Sequence, residues 1–466
     1  MREKTESRAA FVTMFAIITL LYFNFSILRS VRNALVVADG GGAELLPFFE
    51  LWAGLPAAIA LTWFITRLCR RFSLSRVFSI LTLMFLVFFG LFAFWIYPRF
   101  ALNHAATPMA SFLSYGPEIV WAYWPKALFF AVSELWKVAL LSVLFWSAAN
   151  RSLRKEYAQI VYGPLLAGGS LGALLAGPVT AWCTASGGSF GWLESLYLVS
   201  SIMIVVGFVL IALFYYLTSL LAKPDLEEEP MPSDLSLTKA VRSFRMHTSL
   251  PWIGLLVLGD YLAYGLTEVV FLNTLKNAFP DPQAYCHYMG MLTFWAGLGT
   301  LILGVFLAPQ MLSRLPWHIS ALVTPVAFLL TSILFFGYAY WWHAYTTSSW
   351  AIAMGSVMYC TCRATKYTFF DSTRELAYMH LDRKTQLEGK LVIDGIGGRV
   401  GRATSSVFNM GLIRLWGSVD GAAPVAGGLS ALFVGLWIFA AQQLGARLKA
   451  RELHDGFSPS ISMNQK

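Results

Sequence analysis

The feature that most constrains this chain is a series of about twelve apolar stretches, each long enough to cross a lipid bilayer. A spanning helix needs roughly 20 apolar residues, and the runs Val77–Tyr97 and Val199–Leu217 approach or reach that length without one charged residue. Charged residues make up 13% of the chain, whereas soluble domains carry about 25%. We therefore predict an integral membrane protein.

The hydrocarbon of a bilayer offers no hydrogen bonds, so only helices and closed barrels span it. These runs are too long for barrel strands and do not alternate, so they predict helices. We place twelve spans at 9–28, 48–68, 76–97, 121–149, 160–185, 192–221, 251–275, 285–311, 318–341, 347–370, 390–413 and 425–446. The predicted fold class is an all-α membrane protein with twelve transmembrane helices in two six-helix halves.

The longest polar stretch between spans sets the predicted domain organisation. Residues 222–250 separate six spans from six, so we predict an N-terminal half at 1–221, a cytoplasmic linker at 222–250, a C-terminal half at 251–450 and a cytoplasmic tail at 451–466. Within the first half, Gly163–Gly177 is rich in small residues. This composition predicts close helix packing, with a moving helix bend as the alternative.

The positions of lysine and arginine predict the orientation, because cytoplasmic loops carry the excess of these residues. Most clusters, among them those at 67–76 and 447–451, reach the cytoplasm when both termini lie there. This distribution accounts for the net charge of +9, so no nucleic-acid partner is needed. We predict a multi-pass protein of a bacterial inner membrane, in contact with lipid and working as a monomer.

The five cysteines give little sign of a metal site. Cys360 and Cys362 lie two residues apart, but no histidine and no second cysteine pair is close to them in sequence. Buried packing is therefore favoured over metal binding, and we expect no metal and no cofactor.

Charged residues inside apolar spans are costly and usually functional, so they decide what kind of membrane protein this is. Arg29 and Arg32 lie three residues apart near the end of the first span, on the side where the positive-inside rule disfavours cations. They indicate anion binding. The alternative is a structural pair with Glu44 or Glu50.

The fourth span carries Glu134 and Lys137, again three residues apart. One interpretation is that the two side chains simply neutralise each other. The other is that Glu134 serves transport by forming pairs between helices.

The seventh span places Tyr261, Tyr264 and Glu268 on one stripe, and Lys276 follows near its end. A carboxylate in mid-span must pair across helices, be protonated, or face a watery cavity. Glu268 is therefore a candidate for substrate binding or proton coupling. The alternative is a role in packing only.

The segment between the tenth and eleventh spans is rich in charge, most of it typical of a solvated loop. Lys390 and Asp394 are four residues apart, so we predict that they pair. Arg399 and Arg402 then remain as cations within the eleventh span.

Fixed cations in both halves, with aromatic residues close by in sequence, indicate an anionic substrate that carries an aromatic group. The planar fork of arginine suits phosphate and carboxylate. The glycines at 395–401 do not make a phosphate loop, since no strand precedes them and no Gly-Lys-Ser/Thr ends them. The sequence also shows no His-Glu-x-x-His motif and no credible nucleophile triad. We therefore predict neither an enzyme nor an ATP-driven pump.

At these same residues the chain resembles the nucleotide transporter family of plastids and intracellular bacteria, whose best-known members exchange ATP for ADP. The matching motifs run in order over most of the chain: Asn24–Val37 with Gly42–Trp52; Ser133–Trp136 with Leu144–Trp146; Lys366–Asp371 with Arg374–Tyr378; and Gly389–Lys390 with Ile393–Asp394 and Gly397–Arg402.

The resemblance implies a major-facilitator-like fold with a central site between two six-helix halves. The residues to which it assigns functional roles are Arg32, Glu134, Glu268, and either Arg374 or Lys390. The chain departs from the family at Ser30 and Asn33, where Asp is usual, and at Arg32, where Lys is usual.

We predict a transporter that moves nucleotides by alternating access, with ATP/ADP exchange as its activity and no catalytic residues. The predicted substrate-binding residues are Arg29, Arg32, Glu134, Tyr261, Tyr264, Glu268, Lys276, Arg374, Lys390, Asp394 and Arg399. One alternative is a proton-coupled or broad-specificity importer of nucleotides or nucleotide cofactors. The other is a non-transporting membrane sensor or assembly protein with a transporter-like fold.

Overall fold

The computed structural model describes residues 2–101, 116–152, 155–185, 191–220, 244, 247–341 and 348–455. Within these ranges the regular secondary structure is helical throughout, and no strand is present. The prediction of an all-α fold is therefore confirmed.

We number the α-helices of the described residues in chain order. They are α1 (Arg2–Asn33), α2 (Leu45–Phe49), α3 (Leu55–Cys69), α4 (Leu74–Leu91), α5 (Gly116–Ala122), α6 (Trp124–Trp136), α7 (Trp146–Ser152), α8 (Lys155–Cys183), α9 (Trp192–Leu220), α10 (Leu250–Ala278), α11 (Pro282–Ile302), α12 (Ala308–Arg314), α13 (Trp317–Phe336), α14 (Ser348–Thr365), α15 (Asp371–Met379), α16 (Arg383–Lys390), α17 (Gly398–Trp416) and α18 (Val419–Asp455).

Short π-helical segments join several of these helices. They include Ala34–Ala38 after α1, Lys137–Phe145 between α6 and α7, Lys366–Phe370 between α14 and α15, and Leu391–Gly397 between α16 and α17. Each of the four begins at, or within two residues of, a lysine or arginine discussed above. Such π-helical turns are rare and are frequently found at functional sites.

Nine helical segments of the described residues are long and apolar enough to cross a membrane. They are Arg8–Ala38, Leu45–Cys69, Leu74–Phe100, Trp124–Ala149, Trp192–Leu220, Leu250–Ala278, Pro282–Arg314, Trp317–Tyr340 and Val419–Lys449. The other three predicted spans, at 160–185, 347–370 and 390–413, coincide with helices α8, α14 and α17, which are not among the nine. The multi-pass architecture is thus supported, and the count of twelve stays a prediction.

Contacts between residues divide the chain into two compact units. The first consists of Met1–Glu227, Leu272–Leu301 and Gly417–Val419, and the second of Glu228–Phe271, Ile302–Trp416 and Asp420–Lys466. The predicted linker lies largely outside the described residues. The predicted domain boundaries therefore stay a prediction.

In the first unit, α1 is the most buried helix over its second half, and α8 packs closely against it. A Cβ atom at Gly172 would lie 2.9 Å from Phe23 N, and one at Gly169 would lie 2.8 Å from the Tyr22 ring. Glycine at these two positions lets the helix backbones approach, as small residues commonly do in membranes. The close packing predicted for residues 163–177 is confirmed.

The second unit is held together by an apolar cluster that joins α10, α13, α15 and α18. Its largest buried side chain is Trp437, which is 1% exposed and whose ring centre lies 5.0 Å from that of Phe370. Trp317 Nε1 donates a hydrogen bond to the Thr373 carbonyl at 2.8 Å. These contacts fix α15 and, with it, the charged residues that α15 carries.

Candidate functional site

Arg32, at the end of α1, forms an ion pair with Glu134 of α6 in the first unit. The two side chains are 9% and 19% exposed, so the pair is largely buried. Arg32 Nη2 also donates to Asn33 Oδ1 at 3.2 Å, and its guanidinium lies 4.8 Å from the centre of the Phe130 ring. For Arg32, the alternative pairing with an acid at position 44 or 50 is therefore wrong.

The neighbours of this pair also have definite positions. Lys137 is the sequence-local alternative partner of Glu134, and its Nζ lies 5.2 Å from the centre of the Phe25 ring. Arg29 is half-buried in α1, one turn before Arg32. The structure thus places Arg29, Arg32 and Glu134 in one region of the first unit, and their role in substrate binding stays a prediction.

Lys276 lies at the end of α10 and belongs to the first unit. Its Nζ lies 3.2 Å from the position that a Cβ atom at Gly42 would occupy, and the carboxylate of Glu44 meets the same position. Gly42 has a φ of 125°, a backbone conformation that favours glycine. The absence of a side chain there lets the ammonium and the carboxylate approach the turn that follows the first span.

A polar network that the sequence did not predict surrounds Asp39 in the same unit. Lys126 Nζ lies 3.0 Å from Asp39 Oδ2 and donates to the Asp39 carbonyl at 2.5 Å. Tyr97 O–H donates to Asp39 Oδ2 at 3.0 Å and accepts from Trp192 Nε1 at 2.6 Å. Lys126 thus has a structural partner in Asp39.

In the second unit, the three α10 residues of the predicted stripe, Tyr261, Tyr264 and Glu268, have different neighbours. Tyr264 O–H donates to Glu268 Oε1 at 3.1 Å, so these two residues form a local pair. Tyr261 lies one turn away with two cations over its ring, Lys366 Nζ at 5.0 Å and Arg402 Cζ at 5.9 Å from the ring centre. The role of these residues in substrate binding stays a prediction.

Lys366 also forms an ion pair with Asp260, whose side chain is 1% exposed. Both residues were visible in the sequence, Asp260 inside an apolar run and Lys366 near a helix end, yet neither was predicted as part of the site. The sequence signal for this pair is the cost of a charge at position 260, which requires a partner from another helix.

The charged segment after the tenth predicted span contains two cross-helix pairs. Arg374 contacts Asp371 at 3.3 Å and Asp394 at 3.7 Å. Lys390 contacts Glu375 at 2.5 Å. The predicted pair between Lys390 and Asp394 is therefore wrong, because residues of α15 lie within reach of both and take their place.

The helix that carries Lys390 begins at a local cap. Thr385 N–H donates to Asp382 Oδ2 at 3.0 Å, immediately before and within α16. Hydrogen bonds from Thr385 hold the pKa of Asp382 below its usual value, since they favour the ionised carboxylate. Arg399 is half-buried in the next helix, α17, one turn before Arg402.

The fold is similar to those of solved membrane transporters. The model is similar to an inward-facing bacterial homologue of the iron transporter ferroportin, with a TM-score of 0.59 and 14% identity over 92% of this chain and 98% of that one. It is also similar to a proton:xylose symporter of the major facilitator superfamily, with a TM-score of 0.54 and 13% identity over 92% and 95% of the two chains. At these identities the similarity establishes the fold alone, and the predicted major-facilitator-like fold is confirmed.

A family model described as the TLC ATP/ADP transporter matches residues 4–448. The chain belongs to the TLC ATP/ADP transporter family. It is 28% identical to ADP,ATP carrier protein 1 of Chlamydia muridarum, over 92% of this chain and 87% of the relative. It is 27% identical to the chloroplastic ADP,ATP carrier protein 2 of Arabidopsis thaliana, over 91% and 72%. The family resemblance noted in the sequence is thereby confirmed, and the chain is a multi-pass membrane transporter and not an enzyme.

Proposed function

We propose that this TLC family member exchanges ATP for ADP across a bacterial inner membrane by alternating access. The observation that carries the proposal is the family match over residues 4–448, which leaves little of the chain unaccounted for. The names of the relatives in Chlamydia and in plastids, which are ADP,ATP carriers, support the same substrate pair.

The cations of the predicted site would hold the phosphates. We assign this role to Arg29, Arg32, Lys276 and Arg399, with an aromatic ring of the first or seventh span stacked on the base. The geometry of Arg32 supports the assignment, because a largely buried guanidinium forms strong charge-assisted hydrogen bonds with phosphate oxygens.

Glu134 would compete with the substrate for Arg32. Its carboxylate neutralises Arg32, and a nucleotide phosphate would replace it in the same electrostatic role. Binding then releases a carboxylate that must find another partner or face water, which couples occupancy to the arrangement of the helices. Exchange follows if the carrier reorients slowly when no nucleotide is bound.

The test is uptake of labelled ATP into liposomes that contain the purified protein and are preloaded with ADP, with AMP, or with buffer. Exchange predicts rapid uptake with internal ADP and little uptake into buffer-filled liposomes. Uptake into empty liposomes that follows a proton gradient would favour the proton-coupled importer. No uptake and no ATP binding by folded protein would favour the non-transporting sensor or assembly protein.

A further inference from the structure

Arg363 is a partly buried cation of the second unit. Its Nε and Nη2 atoms are buried, yet neither has a hydrogen-bond partner among the described residues. The guanidinium carbon lies 4.3 Å from the centre of the Tyr359 ring, four residues earlier in α14. By contrast, Lys366, Arg374 and Lys390 each form an ion pair with an acidic residue.

Two contacts show which part of α10 lies beside Arg363. Before Arg363 in sequence, the Tyr359 ring centre lies 5.4 Å from that of Phe271. After Arg363, Lys366 pairs with Asp260. The two helices therefore run side by side in opposite directions, and Arg363 lies at the level of the α10 residues between 260 and 271.

That stretch of α10 carries the pair formed by Tyr264 and Glu268, both of which were predicted from the sequence to contact substrate. Gly355 allows the close approach of the helices, since a Cβ atom there would lie 2.5 Å from the Phe271 ring. Arg363 is thus held beside the predicted substrate-binding stripe by packing on both sides.

A charged donor that is buried without an acceptor is unfavourable, because the water that it loses is not replaced. Buried polar groups are almost always satisfied, so an exception calls for an explanation, such as a ligand. An anion with oxygen acceptors would satisfy both the two N–H groups and the charge of Arg363. A phosphate group fits, because its oxygens accept both N–H groups of a guanidinium fork at once.

We propose that Arg363 binds a phosphate group of the transported nucleotide, with the ring of Tyr359 supporting the guanidinium. This proposal rests on the nucleotide transport proposed above and adds a substrate contact that the sequence did not predict. Lys366, one turn further on, is already neutralised by Asp260, whereas Arg363 forms no ion pair among the described residues, so its positive charge is available to a phosphate.

The test compares the purified full-length protein with Arg363→Gln and Arg363→Lys. Binding of labelled ATP is measured at equilibrium, with competition by inorganic tripolyphosphate and by adenosine. The matched control is Arg67→Gln, because Arg67 also lies over a ring four residues earlier, with its guanidinium carbon 5.2 Å from the centre of the Trp63 ring, but is exposed.

We expect Arg363→Gln to weaken ATP binding and tripolyphosphate competition about tenfold or more, while competition by adenosine is unchanged. Arg363→Lys keeps the charge but loses the fork, so its affinity should lie between those of Arg363→Gln and the wild type. Arg67→Gln should bind like the wild type. Without ligand, Arg363→Gln should melt at the wild-type temperature or above it, because it removes a charge that has no acceptor.

Wild-type ATP affinity in folded Arg363→Gln would overturn the proposal. So would a clear loss of ligand-free thermal stability in both variants, since that result assigns Arg363 a structural role. Failure of the wild-type protein to bind or exchange ATP would instead contradict the proposed function, which keeps the two failures distinct.

Discussion

Arg32 and Glu134 are 102 positions apart in sequence and meet in a largely buried ion pair. Such a pair contributes little net stability, because desolvation of two charges offsets most of their attraction. Removal of one partner is costly, however, since it leaves a buried charge alone. At the scale of single residues, this asymmetry makes the structural and the functional roles of the pair separable by experiment.

We expect Arg32→Ala to lower ATP affinity about tenfold or more, and Arg32→Lys to lower it less, because a charge-assisted bond to phosphate contributes about 1.5–3 kcal/mol. The measurement is equilibrium binding of labelled ATP to the purified variants. Normal binding by folded Arg32→Ala would make the pair purely structural.

The same substitution should reduce the free energy of unfolding by about 3–5 kcal/mol, because Glu134 loses its partner. In the double variant with Glu134→Ala, part of that loss should be recovered while ATP binding stays weak. Thermal unfolding in detergent, read on the two single variants and the double variant, separates the stability effect from the binding effect.

Glu268 accepts a hydrogen bond from Tyr264, one turn earlier on the same helix. We expect Glu268→Gln to bind ATP normally but to transport it slowly, because the loss of a charge in mid-span changes the balance between conformations and not the phosphate contacts. Tyr264→Phe serves as the milder control, since it removes only one hydrogen bond. If Glu268 carries a proton, Glu268→Gln should abolish the pH dependence of net uptake and spare exchange. Wild-type rates in both assays would end its functional assignment.

At the scale of helices, contacts between backbones depend on single glycines. In the first unit, α8 meets α11 at Gly177, where a Cβ atom would lie 2.6 Å from Phe294 Cβ and 2.7 Å from the Gly290 carbonyl oxygen. His287 Nδ1 lies 2.8 Å from the Ala181 carbonyl oxygen one turn away, which extends the same contact. A larger residue at Gly177 must push the two helices apart.

We expect Gly177→Ala to lower the free energy of unfolding by about 1–3 kcal/mol through overpacking. The matched control is Gly428→Ala in α18, where a Cβ atom would meet nothing within 4 Å. That variant should be neutral or more stable by up to about 1 kcal/mol, since alanine is the better helix former. Thermal unfolding of both purified proteins checks the difference. Equal melting temperatures would show that α8 and α11 can move apart at Gly177 without loss of stability.

At the scale of the whole molecule, the distribution of lysine and arginine carries the prediction of orientation. We expect both termini and residues 222–250 to face the cytoplasm. The check is cysteine labelling at Ser233, Gly188 and Ser458, which lie outside the described residues, in a cysteine-free background. An impermeant reagent on intact cells should label only position 188. Labelling of position 233 before position 188 would contradict the predicted topology.

Charge pairs between helices depend on tertiary packing, so helical spacing alone does not predict them. The pair predicted between Lys390 and Asp394 used helical spacing alone, and such exposed pairs contribute only about 0.2–0.5 kcal/mol. Arg374 and Glu375, brought close by tertiary packing, took one partner each. The weak preference for a pair within one helix was therefore outweighed by a contact with a residue from a neighbouring helix.

By itself, the sequence determined the membrane class, the all-helical fold, most of the spans and the family, because apolar length and motif order are properties of short stretches of chain. Only the tertiary structure decided that Arg32 meets Glu134, that Lys366 meets Asp260, and that Arg363 has no acidic partner among the described residues. Whether a charge is paired depends on which helices are neighbours and on how they are offset along their axes. Packing over the whole unit sets both, so residue spacing along one helix does not predict them.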